Sequence, residues 1–338
     1  MHFAVGRFWA PHRRVTGHRV TATQVRMTTD AVTVADIHAA RQRIAPYIRV
    51  TPIITASVPT PTGPVTSVLK LESLQVTGSF KPRGAFNSLL QTDAASVVAV
   101  SGGNHGLAVA YAAHELGRTA LIVVPTSAAT TKVEAMRRFH ADVVQHGDIP
   151  AEAFSFAEQI IAERGWPLIH PYDQAATVVG QGTIGLEMME QAPTVTHWLM
   201  AVGGGGFPAG AALAMEGQAV VVPVEPYGCP GLYEAQRAGE PVPVGALGVA
   251  RTSLGAPSLG QIPWGLLRDR VPPCVLVTDE QIVAAQRWLW NELRIVAEPG
   301  GATSLAALMS GAWVPPTHAL TGSVGVVVCG GNADALPV

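Results

Sequence analysis

Three lysines, three glycine-rich bends and three cysteines carry most of the reactive chemistry open to this chain of 338 residues. The lysines are Lys70, Lys81 and Lys132; every other basic side chain is arginine or histidine. Lys81 lies in the run Ser73-Leu-Gln-Val-Thr-Gly-Ser-Phe-Lys-Pro-Arg-Gly-Ala85, after an aromatic residue and a turn of small residues and ahead of a helical pattern. A lysine at a helix start in apolar surroundings has a depressed pKa, because desolvation and the positive helix end both disfavour the ammonium. A Schiff-base lysine needs that property. Taken alone, the segment fits a surface lysine beside a turn equally well.

The second bend is Ser101-Gly102-Gly103-Asn104-His105-Gly106, between an apolar strand pattern and a helix. Successive N–H groups and a serine hydroxyl at a helix N-terminus make a pocket suited to a carboxylate. Asn104 adds an amide for a phenolate or carbonyl oxygen. The plainer reading is a turn with His105 at a helix start. The third bend, Gly203-Gly204-Gly205-Gly206, also joins a strand to a helix, and its bare backbone suits a phosphate dianion. No Lys-Ser/Thr follows it, so it is not a Walker loop. Gly204, Gly206 and Ala209 also fit G-x-G-x-x-A, with Glu225 at the spacing of a ribose-binding acid. A nicotinamide-binding oxidoreductase is therefore the rival from another class, though it leaves Lys81 and the Ser101 bend without a role. Cys329, in Cys329-Gly330-Gly331-Asn332, reads as a small core residue or a weak hydrogen-bond partner.

These bends need a scaffold that delivers strand ends to one place. Apolar runs at 65–71, 97–100, 120–124, 143–144, 168–169, 197–202, 219–224 and 324–329 predict strands. Helical patterns at 37–48, 84–90, 106–115, 131–139, 151–163, 180–190, 207–215, 279–293 and 301–309 alternate with them. Thr33 or Asp36 is the cap for the first helix. Such alternation predicts an α/β fold of parallel sheets covered on both faces, with ligands at the strands' carboxyl ends. The Gly- and Pro-rich stretch 237–270 reads as a long connection.

Composition narrows the class further. Charged residues are 14% and apolar ones 48%, with a net charge of −2; this excludes a disordered chain and offers nothing to nucleic acid or an anionic membrane. Mean hydropathy is +0.27, yet each apolar run is strand length, far below the ~20 residues of a membrane span. Cys229, Cys274 and Cys329 form no CxxC pair, so neither a disulfide framework nor a structural metal is expected. Residues 1–26 are expected to be a disordered extension, or an over-long start assignment ahead of Met27, without a secretory signal, and the cytoplasm is the expected location.

In order, these segments resemble the fold type II pyridoxal-phosphate enzymes, specifically the serine/threonine dehydratase and serine racemase group. The resemblance runs from Thr33 to Asn332. It rests on Gly78-Ser-Phe-Lys81-x-Arg83-Gly-Ala85, Ser101-Gly-Gly-Asn-His-Gly106, Gly203–Gly206, Val224-Glu-Pro226, Glu298-Pro-Gly-Gly-Ala302 and Cys329-Gly-Gly-Asn332. It implies the tryptophan synthase β-like fold: a large cofactor domain of residues 27–85 and 172–338, and a small mobile domain of 86–171, each with a mostly parallel twisted sheet flanked by helices. It further implies pyridoxal 5'-phosphate with Lys81 as its Schiff-base lysine and Phe80 beside the ring. Asn104 would bond the ring hydroxyl, Gly203, Gly204, Gly205 and Gly206 the phosphate, and Cys329 would face the pyridine nitrogen, with Glu298 near the cofactor. Ser101, Gly102, Gly103, Asn104 and His105 would receive the carboxylate of an amino-acid substrate. A homodimer is inherited from the same likeness.

The implied reaction is β-elimination from a 3-hydroxy amino acid such as L-threonine or L-serine, giving a 2-oxo acid and ammonia. The freed Lys81 amine would remove the Cα proton. A racemase or a β-replacing synthase is the alternative on the same fold, and a non-catalytic binding protein is a third reading. Four departures refine the expectation. Gly102 stands where racemases carry a proton-donating serine, which favours elimination. No acids follow Glu225 in Tyr227-Gly-Cys-Pro-Gly231, so no metal is expected. Thr252-Ser-Leu-Gly-Ala256 replaces the usual Ala-Asp-Gly loop, which admits 3-hydroxyaspartate or a bulkier substrate. No amino-acid-sensing domain follows, so feedback inhibition through one is not expected.

Overall fold

The computed structural model describes residues 32–148, 150–316, 321–333 and 335; the extension expected at 1–26 lies outside them. In chain order the elements are α1 Val34–Ile44, β1 Ile53–Val58, β2 Val65–Leu71, α2 Lys81–Leu89, β3 Ser96–Val100, α3 Asn104–Glu115, β4 Thr119–Val124, α4 Thr130–Arg137, β5 Asp142–Gln145 and α5 Pro150–Arg164. There follow α6 Ala175–Gln191, β6 His197–Ala201, α7 Gly206–Ala214, β7 Val220–Pro226, α8 Gly231–Ala238, α9 Arg251–Leu254, α10 Gln261–Leu267, β8 Val275–Val277, α11 Asp279–Leu293, α12 Pro299–Met309 and β9 Thr321–Val328. One sheet has six strands in the order β1-β2-β9-β6-β7-β8, the other three in the order β3-β4-β5. Every pairing is parallel except β1 with β2.

Local chemistry explains most boundaries. Thr33 caps α1, and Asp36 completes a capping box by accepting from the Thr33 N–H. The helix therefore starts a turn before the expected Ile37. It ends at Ile44 rather than Ile48: Ala45 keeps helical dihedrals and donates to the Arg41 carbonyl, but Pro46 has no N–H with which to continue the ladder. Thr278 and Gln281 make the matching box for α11. The expected strand at 168–169 is one bridge, Val98 to Leu168, hemmed in by Pro167 and Pro171. Two strands and three helices depart from expectation. β1 is an antiparallel edge beside a Pro-rich turn, β8 is three residues long after Pro272-Pro273, and α8 begins straight after Pro230. The stretch 237–270 holds α9 and α10, where an irregular connection was expected.

Helix α6 sets the relation between the two helices that matter most. α2, which begins at Lys81, and α7, which begins at Gly206, both lie against it. A Cβ at Gly180 would fall 2.4 Å from the Arg83 carbonyl, and one at Gly210 2.6 Å from the Gly182 nitrogen. Side chains there would push the helices apart. Beneath α2, Arg83 donates to Glu72 at 2.8 Å and to Glu187 at 2.9 Å, and Lys70 pairs with Glu187. All four are buried; inside a protein such charges persist only when paired and hydrogen-bonded. Among the described residues, no helix is long and apolar enough to cross a membrane.

Candidate active site

Lys81 is the first residue of α2, with Pro82 next, and the turn before it is tied to the end of β9. The Phe80 N–H donates to the Cys329 carbonyl at 3.1 Å, and Ser79 bridges Gly330. The Lys81 Nζ donates to the Pro171 carbonyl at 2.9 Å. Burial lowers its pKa to about 8, against the pull of Cys329 and Glu298. About a tenth of the amine is thus unprotonated at pH 7, far more than for an ordinary lysine. The Phe80 ring stacks on Phe207, in the first turn of α7, with centroids 3.9 Å apart.

The tetraglycine bend follows β6. Gly205 has φ +88° and forms the N-cap of α7, a left-handed conformation that glycine adopts freely. Among the described residues, the N–H groups of Gly203, Gly204, Gly205 and Gly206 donate to nothing within the chain. Four orphan donors at the start of a nine-residue helix make an anion site, and this fits the phosphate of pyridoxal phosphate. Tyr172 walls the bend: a Cβ at Gly204 would lie 2.1 Å from its ring, and one at Gly206 2.7 Å from its carbonyl.

The Ser101 bend arrives from the other sheet, at the end of β3. The Ser101 Oγ accepts from the Gly103 N–H at 3.2 Å, and the bend opens α3, twelve residues long. His105 is buried, and its Nε2 lies 2.8 Å from the Ile169 carbonyl. A carbonyl only accepts, so Nε2 carries the proton. Burial first, then the nearby Lys81 charge, lowers its pKa to about 3, so the imidazole is neutral. What His105 offers the bend is its backbone. A Cβ at Gly102 would meet the Ala128 methyl at 3.1 Å, so a side chain there would need Ala128 to yield by a few tenths of an ångström, and glycine itself brings no proton donor. A Cβ at Gly103 would lie 3.4 Å from the Thr252 carbonyl, so α9 sits over this bend.

Asn104 joins the two halves. Its Nδ2 donates to Glu298, the residue before α12, and its Oδ1 accepts from Asn332 at 2.9 Å. The Cys329 thiol is buried and donates to the Gly300 carbonyl at 3.4 Å. Burial, then the Glu298 charge, pushes its pKa far up, so it stays a thiol. A neutral thiol is a weak donor for a pyridine nitrogen.

Glu225 is no part of this cluster. Fully buried at the end of β7, it accepts from the N–H groups of Leu232 at 2.8 Å and Tyr233 at 2.9 Å. It caps α8 and cannot reach a ribose, which removes the nicotinamide rival. Three contributors went unseen in the sequence: the Pro171 carbonyl, the Tyr172 ring and the Asn332 amide. Pro171 and Tyr172 carry no spacing signal, while Asn332 stood in a motif without an assigned role.

Comparison with known proteins agrees with this geometry. The profile of the family described as pyridoxal-phosphate dependent enzyme matches residues 44–330. The phenylserine dehydratase of Ralstonia pickettii is 36% identical over 319 residues, covering 90% of this chain and 96% of the relative. The L-threonine ammonia-lyase of Thermotoga maritima is 32% identical over 90% of this chain and 76% of that protein. The structure of maize serine racemase superposes with a TM-score of 0.83 at 31% identity, over 90% of this chain and 94% of that one.

Proposed function

The chain belongs to the pyridoxal-phosphate dependent enzyme family, with the type II fold, and within it we propose a β-eliminating ammonia-lyase acting on a 3-hydroxy amino acid. One observation carries the reading. Lys81, an amine with its pKa lowered to about 8, heads α2 at the same site as an orphan-donor glycine bend and a carboxylate loop whose residue 102 is glycine, with no side-chain proton donor of its own. Relatives that eliminate, a phenylserine dehydratase and a threonine ammonia-lyase, point the same way.

In this reading Gly203–Gly206 hold the cofactor phosphate, Phe80 flanks its ring, Asn104 donates to its ring oxygen and Cys329 faces its nitrogen. Bound pyridoxal phosphate supplies the electron sink that makes the substrate Cα–H acidic. The N–H groups of residues 101–105 orient the substrate carboxylate at the start of α3. Lys81 takes the Cα proton. The Cβ–O bond breaks, the hydroxyl leaves as water with a proton that balances the one Lys81 removed from Cα, and the released enamine tautomerises and hydrolyses to a 2-oxo acid and ammonia. In the same reading residues 86–171 are the mobile small domain, against 27–85 and 172–338. In this reading the enzyme is a cytoplasmic homodimer, which cell fractionation and light scattering would test.

The test is 2-oxo acid release from a panel of 3-hydroxy amino acids (serine, threonine, 3-hydroxyaspartate, phenylserine). Lys81→Ala should abolish both turnover and the visible band of the bound cofactor. Predominant D-serine from L-serine would replace this reading with a racemase. A wild-type protein that takes up no pyridoxal phosphate would end it.

A further inference from the structure

Four residues ahead of Lys81 the backbone is strained. Thr77 has φ +60° and Gly78 φ +76°. A residue with a Cβ rarely adopts this region, and it persists only where the surroundings over-determine it. What holds it comes from the far end of the chain. Asn332, in the loop after β9, donates through Nδ2 to the Thr77 carbonyl at 2.8 Å and to Asn104 Oδ1 at 2.9 Å. Its Oδ1 lies 2.4 Å from where a Cβ at position 78 would stand, so glycine there is what admits it.

Both ends of this chain of hydrogen bonds fix its direction. The Thr77 carbonyl can only accept, so Asn332 must present its Nδ2. Asn104 therefore accepts through Oδ1 and points its own Nδ2 at the Glu298 carboxylate. One hydrogen of that Nδ2 is used. The second is what Asn104 has left to offer an oxygen inside the site.

We infer that Asn332 is a positioning residue, which locks the strained turn leading to Lys81 and the amide of Asn104 into one arrangement. It thereby sets the lysine and the donor for the cofactor's ring oxygen relative to each other. The inference rests on the functional reading above.

Asn332→Asp and Asn332→Ala test it. The aspartate keeps the side chain's size but sets acceptors against two acceptors; the alanine removes both bonds. Three quantities are measured: the apoenzyme's affinity for pyridoxal phosphate, the wavelength and pH titration of the bound cofactor's visible band, and the melting temperature of the apoenzyme. Both variants should bind the cofactor about tenfold more weakly, the factor for one buried hydrogen-bond partner lost. Both should shift the band and its titration, with the apoenzyme's melting temperature within ~3 °C of wild type. Should the alanine variant not fold, the aspartate variant decides. A band and titration identical to wild type, with or without a lower melting temperature, would overturn the inference while leaving the functional reading intact. Wild-type apoenzyme that takes up no cofactor would overturn both.

Discussion

Replacing Glu225 by glutamine should raise the protein's stability relative to wild type by ~3 kcal/mol between pH 4.5 and pH 8. The carboxylate is fully buried, and its bonds run to two backbone N–H groups and to the Cys274 thiol at 3.4 Å, with no cation among them. Burial raises its pKa from 4.5 to about 7, and the N–H donors oppose the rise only in part. The folded chain therefore holds this proton more tightly than the unfolded one. Between pH 4.5 and 7 the folded state carries the extra proton, so stability falls as pH rises through that window. Over about 2.5 pH units the loss amounts to ~3 kcal/mol. Glutamine never ionises; its one oxygen accepts from one of the two α8 N–H groups while its NH2 faces the other, a loss that is the same at every pH. A buried and a half-buried histidine act in the opposite sense: desolvation lowers His105 to about 3 and His170 to about 4, so their contribution is lost as pH falls below 6.5. Both proteins share that effect, and it cancels in the difference. Urea denaturation of the two apoenzymes at half-unit steps from pH 4.5 to 8 measures it. The difference should grow in favour of Glu225→Gln as pH rises, levelling off above pH 7. A difference that is flat, or that grows towards acid, would refute the reasoning.

Two further outcomes are expected. Uptake of pyridoxal phosphate by the apoenzyme should quicken with pH through about 8, because only the neutral Lys81 amine attacks an aldehyde; stopped-flow absorbance from pH 6 to 9 checks this, and a flat profile contradicts it. Gly204→Ala should destabilise the protein by ~1–3 kcal/mol and weaken cofactor binding, since the new methyl would lie 2.1 Å from the Tyr172 ring. Adding Tyr172→Ala should restore both melting temperature and affinity, and no recovery would show that the clash lies elsewhere.

Much of this molecule follows from interactions that span a few residues. β2 and α11 occupy the residues that hydrophobic pattern and caps predict, 65–71 and 279–293. β2 is buried along most of its length by Val65, Val68, Leu69 and Leu71, with Lys70 admitted by its pairing to Glu187, and a capping box closes within four residues. The bends at Ser101, Gly203 and Cys329 fall at strand ends for the same reason. Elements whose stability comes from a neighbour rather than from their own pattern were hidden: the edge strands β1 and β8, and the short helices α8, α9 and α10. The site itself is more deeply hidden. Lys81 reaches a carbonyl 90 residues away, and Asn332 holds a turn 255 residues away. Tyr172 shapes a bend with which it shares no motif. Such contacts exist because α6 brings α2 and α7 together and β9 inserts between β2 and β6. No short-range pattern encodes a distance that only the packing of distant helices and strands creates.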